Sequence, residues 1–169
     1  MKYLNHYTIP FAGLKVGHHR FDFEVDEKFF ACFKDSELSK SKIQVSALLE
    51  KQSLVMILDL KVEGIVTVPC DRCADPFDLS VEASERIYIK FGDEAMDEDE
   101  IIVLEHNEHE LKIAQKIYEL ILLHLPSKRI HEEGKCNKKV LKDLKKFQSA
   151  DSKKKSDPRW DLLKNIKFN

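Results

Sequence analysis

Cys70-Asp71-Arg72-Cys73 places two thiols three residues apart. As thiolates, such a pair has the bite to hold two corners of a zinc tetrahedron. As a dithiol, it can cycle through a disulfide. A structural zinc takes four protein ligands, so the pair needs two more. Cys136 and His131 are the candidates, in the Gly-containing segment Arg129-Ile130-His131-Glu132-Glu133-Gly134-Lys135-Cys136, with Cys32 in reserve. One structural zinc on Cys70, Cys73, Cys136 and His131 is therefore one expectation. The plainer one is that the thiols are small residues at a turn, or the remnant of a lost site.

The redox reading has less support. A reactive dithiol of the thioredoxin kind sits at a helix N-terminus, which lowers the thiol pKa. Here Pro69 precedes the pair and Pro76 follows it, inside an alternating pattern, so no helix is expected to begin there. Arg72 still leaves a route to a depressed thiol pKa. Other catalytic signatures are absent. There is no Gly-rich phosphate loop, no G-x-S-x-G and no H-E-x-x-H. His106 and His109 lie among carboxylates at an expected helix start and read as a solvated cap. No enzyme activity and no small-molecule substrate are expected.

The elements that must position the cysteines are legible as alternation. Phe21, Phe23 and Val25 alternate with polar residues, as do Ile43, Val45, Ala47 and Leu49. A long run places Met56, Leu58, Leu60, Val62, Val66 and Val68 on one face, with Gly64 marking a bulge or bend. After the cysteine pair the pattern resumes at Phe77, Leu79, Val81 and Ala83, then Ile87 and Ile89. Two long strands around a tight turn predict an antiparallel hairpin with one buried face. The segment 29–33 reads as a short helix, or from its aromatics as a strand, with 93–100 as an acidic loop and 101–104 as a short strand.

Asn107, with Glu110 three residues on, predicts the start of a long buried helix that Pro126 ends. Leu111, Ala114, Tyr118, Ile121 and Leu125 form its stripe. Asn137 caps a second, short helix through Phe147. Residues 149–156 read as a flexible linker. Asp157-Pro158 then starts a last helical segment carrying Trp160. The expectation is an α+β fold: an antiparallel sheet with long hairpin strands, one long buried helix and a short helical basic C-terminal region. Residues 1–148 form a single domain, followed by a basic linker and tail over 149–169.

Charge is unevenly laid out. The chain has 169 residues and a formal net charge of −2. From Lys128 onward there are 14 Lys and Arg against 6 Asp and Glu. From Asp93 to Glu110 there are nine carboxylates and no Lys or Arg. The plain reading is a solvated surface; the sharper one is a basic tail that meets an acidic partner such as RNA. No apolar run approaches the roughly 18 residues of a membrane span, so a cytoplasmic protein is expected. The sparse cysteines do not make a disulfide framework.

At this point the residues carry a resemblance. Val68-Pro69-Cys70-Asp71-Arg72-Cys73-Ala74-Asp75-Pro76-Phe77 resembles the central C-x-R-C-x-x-P-F signature of the YceD-like family. That family is also called large ribosomal RNA subunit accumulation protein. Its hydrophobic helix ending in Leu-Pro is similar to Tyr118–Pro126. The Cys-containing segment that follows is matched by Gly134-Lys135-Cys136-Asn137, and the closing Asp-Pro-Arg-Trp by residues 157–160. Many bacterial members carry a richer Cys cluster after the Leu-Pro. This chain keeps only Cys136 there, which leaves His131 as the substitute ligand.

The resemblance implies a non-enzymatic role in accumulation of large-subunit rRNA, hence in ribosome biogenesis. The expected partner is rRNA or a precursor particle. Lys138, Lys139, Lys142, Lys145 and Lys146 would contact phosphates, with Lys153, Lys154, Lys155 and Arg159 as a second cluster. Trp160 would stack on a base, or else pin the last helix to the domain. The alternative is a protein-binding adaptor for a ribosomal protein or assembly enzyme. In that case the 93–110 stretch meets a basic protein and the tail binds as a helix in a groove.

Overall fold

The computed structural model describes residues 3–34, 36–38, 40–92, 96–97 and 101–151. A short 3-10 turn, Tyr3–His6, leads into β1 (Thr8–Pro10), β2 (Gly17–Val25) and a one-turn helix α1 (Glu27–Phe30). Then come β3 (Lys40–Lys51), β4 (Val55–Pro69), β5 (Pro76–Gly92), β6 (Met96–Asp97), β7 (Ile101–Glu105) and β8 (Glu110–Lys112). Helices α2 (Ala114–Leu123) and α3 (Lys138–Asp151) close the described chain.

The class is α+β, with a mostly antiparallel sheet and few helices. Six strands run in the order β2-β3-β4-β5-β7-β6, and β1 pairs with β8 in a separate two-stranded sheet. Every neighbour in the large sheet is antiparallel except β5 and β7, which are parallel. The chain forms two compact units: Met1–Pro69 with Pro76–Arg129, and Cys70–Asp75 with Ile130–Asn169. The sequence-based boundary after residue 148 falls inside α3.

In the first unit the period-2 pattern becomes burial. Ile43, Val45, Ala47 and Leu49 on β3 are buried, as are Met56, Leu58, Leu60, Val62, Val66 and Val68 on β4. Each of these side chains except Ala47 contributes about 1.5–3 kcal/mol when fully withdrawn from water. Helix α2 packs on β4 and β5 through Ile117, Leu120 and Ile121. The opposite sheet face is charged. Arg86 donates to both carboxylate oxygens of Asp59, and Lys61 lies between Glu63 and Glu82.

Four local expectations change. Met96–Asp97, inside the stretch read as an acidic loop, forms β6 against β7. Gly64 is not at a bulge: it pairs in unbroken register with Ile43 on one side and Val81 on the other. Glycine is needed there because a Cβ would strike the Lys42 carbonyl oxygen and come within 2.6 Å of Ile43 Cα. Helix α2 begins at Ala114, not near Asn107, because Glu110–Lys112 is drawn into β8 by pairing with β1. Ile113 precedes α2 with no side-chain cap. The result is a ten-residue helix, shorter than the sequence pattern suggests. Helix α3 runs to Asp151, past Phe147 and into the segment read as linker.

Candidate metal centre

The chain leaves β4 at Pro69, turns through Cys70–Asp75 and returns at Pro76, the last pair of the hairpin ladder. The turn is fixed by its own backbone. The Ala74 N–H donates to the Cys70 carbonyl at 2.8 Å, and the Cys70 N–H donates to the Asp75 carbonyl at 3.0 Å. The Arg72 N–H points at Cys70 Sγ, 3.5 Å away. Ala74 takes φ +60°, a left-handed conformation that disfavours any residue with a Cβ. A hydrogen-bonded turn of this kind aims both sulfurs to one side.

The second half of the site comes from residues 130–137. Gly134, at φ +83°, reverses the chain, and the Lys135 N–H donates to the Glu132 carbonyl. His131 and Cys136 are thereby brought to face the cysteine turn. Cys73 Sγ lies 3.4 Å from His131 Nδ1, and Cys136 Sγ lies 3.9 Å from the same nitrogen. Cys70 Sγ and Cys136 Sγ are 4.0 Å apart. All four donor atoms fall within 4.8 Å of one another.

These separations can be set against a zinc tetrahedron. With Zn–S near 2.3 Å and Zn–N near 2.0–2.1 Å, the edges are about 3.8 Å between sulfurs and about 3.6 Å from sulfur to nitrogen. The two sulfur–nitrogen distances bracket their edge and the Cys70–Cys136 distance lies about 0.2 Å above its own, so the four groups have spacings close to those of a ligand set. The three thiols are buried and His131 is partly buried. Cys32 is elsewhere: its thiol points at the Lys28 carbonyl, 3.3 Å away.

The electrostatics favour a cation. Burial opposes ionisation of Cys70. The backbone N–H groups of His131, Arg72 and Cys73, with the His131 ring, outweigh it and bring the thiol down to about 6. Burial pushes the Cys136 thiol up, and Cys70 and Cys73 beside it push it further. One thiolate forms readily here, and the next is resisted by the first. A divalent ion among the sulfurs removes that resistance, because thiolates bind it directly. The donor set fits a metal: Cys70, Cys73, His131 and Cys136 lie close enough together to hold one ion.

The chain belongs to the YceD family. The family model described as large ribosomal RNA subunit accumulation protein YceD matches residues 58–167. The match takes in the whole cysteine turn, His131, Cys136 and all of α3. Neither a curated protein nor a solved structure matches the chain.

The basic residues divide by region. Lys138, Lys139, Lys142, Lys145 and Lys146 are all exposed on α3. At 100° per residue these five fall within an arc of about 120°, while Val140, Leu141, Leu144 and Phe147 take the opposite side. Lys146 pairs with Asp143 at 2.8 Å. Lys153, Lys154, Lys155, Arg159 and Trp160 lie outside the described residues.

Two contributors escape sequence reasoning. Asn137 reads as a cap, and it is one: its Oδ1 accepts from the Lys139 N–H at 3.0 Å. Its other end, Nδ2, donates to Asp75 Oδ2 at 3.2 Å, tying the helix start to the cysteine turn. Asp75 itself gave no signal beyond its place before Pro76. Ala74 hid the left-handed position because a glycine is the usual marker there.

Proposed function

We propose that this YceD-family chain is a non-enzymatic cytoplasmic factor in large-subunit rRNA accumulation, docking on rRNA or a pre-ribosomal particle. Family membership carries the reading, and the lysine arc of α3 gives it a surface. Lys138, Lys139, Lys142, Lys145 and Lys146 bind phosphates as point charges, giving affinity without sequence readout. The tail lysines 153–155, with Arg159 and Trp160, extend that contact. No helix among the described residues is long and apolar enough to cross a membrane.

The ion we assign to Cys70, Cys73, Cys136 and His131 is zinc, which soft thiolates with one imidazole select. Four protein ligands leave no open position for a substrate, so its role is structural. The ion would supply folding energy, and the residues hold the turn and the 130–137 segment together around it.

A second reading keeps the dithiol as a redox pair, favoured by the lowered Cys70 thiol. Titration with a thiol-reactive disulfide separates them. Zinc-bound cysteines react slowly until a chelator is added, whereas a redox pair reacts at once. The test of the main reading is gradient sedimentation of tagged full-length protein from lysate. Co-migration with large-subunit precursors, lost at raised salt, is expected. Protein that stays at the top at low salt would contradict it and favour the adaptor.

A further inference from the structure

Helix α3 is a poor helix taken alone. It has fourteen residues, near the length at which isolated helices are marginal in water. Its first turn holds no acidic residue and begins with two lysines, the wrong sign for a helix N-terminus. Lys138 with Lys142, Lys142 with Lys145, and Lys142 with Lys146 place like charges three or four apart, which destabilises a helix further. Val140 and Leu141 are partly buried, but Phe147 is 76% exposed, so apolar packing fades along the helix.

The helix starts beside the cluster. Cys136 contributes a sulfur, and the next residue, Asn137, is the N-cap. The Asn137 side chain accepts from the Lys139 N–H at Oδ1 and donates from Nδ2 to Asp75. The Leu141 N–H donates to the Asn137 carbonyl at 3.0 Å, completing the first turn. Fixing Cys136 against Cys70 therefore fixes the residue that nucleates α3, the costly step in helix formation.

We propose that metal and polyanion bind this chain cooperatively. The ion at the cluster nucleates α3 through Asn137, α3 gathers the five lysines on one arc, and a phosphodiester backbone on that arc relieves their repulsion. RNA affinity is then gated by metal loading. By linkage, RNA tightens metal binding by the same factor that metal tightens RNA binding. This rests on the proposed reading that the lysine arc contacts RNA.

The test uses full-length protein and a fluorescein-labelled RNA hairpin, read by anisotropy at low salt. It compares zinc-loaded, chelated-and-reduced and Asn137→Ala forms, with far-ultraviolet circular dichroism on each. Chelation is expected to weaken RNA binding at least fivefold and to lower helix content. Adding zinc back should restore both. Asn137→Ala, which keeps all four ligands, should bind zinc yet lose more than half of the gain in RNA affinity. Equal RNA affinity with and without zinc would overturn the cooperativity while leaving RNA docking intact. No RNA binding by any form would overturn both. Lys138→Gln/Lys142→Gln should weaken RNA binding without changing zinc content and without lowering helix content, since it also removes a like-charge pair. Unchanged RNA binding in that variant would show that the gated surface is not α3 and would also overturn the proposal.

Discussion

Asn137 donates from Nδ2 to Asp75 Oδ2 at 3.2 Å, joining two segments 62 residues apart in sequence. Asp75 ends the turn that holds Cys70 and Cys73, and Asn137 follows Cys136 and starts α3. One amide thus belongs to both the helix cap and the border of the ligand cluster. It gives the second unit a polar tie beyond the Cys70, Cys73, His131 and Cys136 cluster.

Asp75→Ala removes that tie but no ligand. The expected cost is about 0.5–1 kcal/mol in urea unfolding of zinc-loaded protein, the worth of one exposed hydrogen bond. Zinc content, read by elemental analysis, should not change. Loss of zinc would mean that Asp75 acts as a ligand.

Cys136→Ser should behave differently. It takes one sulfur from the tetrahedron, and metal affinity carries folding energy. Zinc content should fall well below one ion per chain. Amide hydrogen exchange over residues 130–147 should accelerate, while β3, β4 and β5 stay protected. Uniform acceleration across the sheet would show that the ion supports the whole chain.

Gly64→Ala tests the close approach of β3 to β4. The new Cβ meets backbone, at the Lys42 carbonyl and Ile43 Cα, and neither can swing aside. A destabilisation of about 2–3 kcal/mol is expected in urea, within the usual range for forced overpacking. A neutral substitution would mean that the strands can part locally at no cost.

Asp26 gives stability a pH dependence. Its burial raises the carboxyl pKa, but the Tyr3 hydroxyl and the Phe29 and Lys28 N–H groups outweigh that and bring it below the ordinary value. The Tyr3 hydroxyl donates at 2.8 Å, and the two N–H groups cap α1. A depressed carboxylate stabilises the fold fully above its unfolded pKa of about 3.9. That stability is lost as pH falls through the folded value. Asp26→Ala should therefore cost about 1 kcal/mol at neutral pH, the usual worth of a cap. The difference should shrink as pH falls from about 3.9 through the lower folded value. A constant difference over that range would remove the carboxylate from the account.

How far the sequence foretold this fold depended on the range of the forces involved. The faces of β3, β4 and β5 were legible because one-sided burial imposes period 2 on neighbouring residues. The two short pairings were not. Thr8–Pro10 finds Glu110–Lys112 across most of the first unit, and no local pattern marks a three-residue strand. That pairing also explains the misplaced helix start, since Asn107 and Glu110 look like a capping pair until Glu110 is claimed by β8. The parallel contact of β5 with β7 is likewise non-local. At the site, Cys70, Cys73, His131 and Cys136 could be named from residue type and spacing. Asp75 and Ala74 could not, because their parts are set by hydrogen bonding and backbone angle.

The measurement closest to the central claim is zinc content with X-ray absorption at the zinc edge, on protein purified without added metal or chelator. One zinc per chain is expected, with three sulfurs at about 2.3 Å and one nitrogen at about 2.0 Å. In His131→Ala the nitrogen contribution should vanish. A chain that carries no zinc and takes none up, or one whose zinc is bound by oxygen and nitrogen alone, would contradict it.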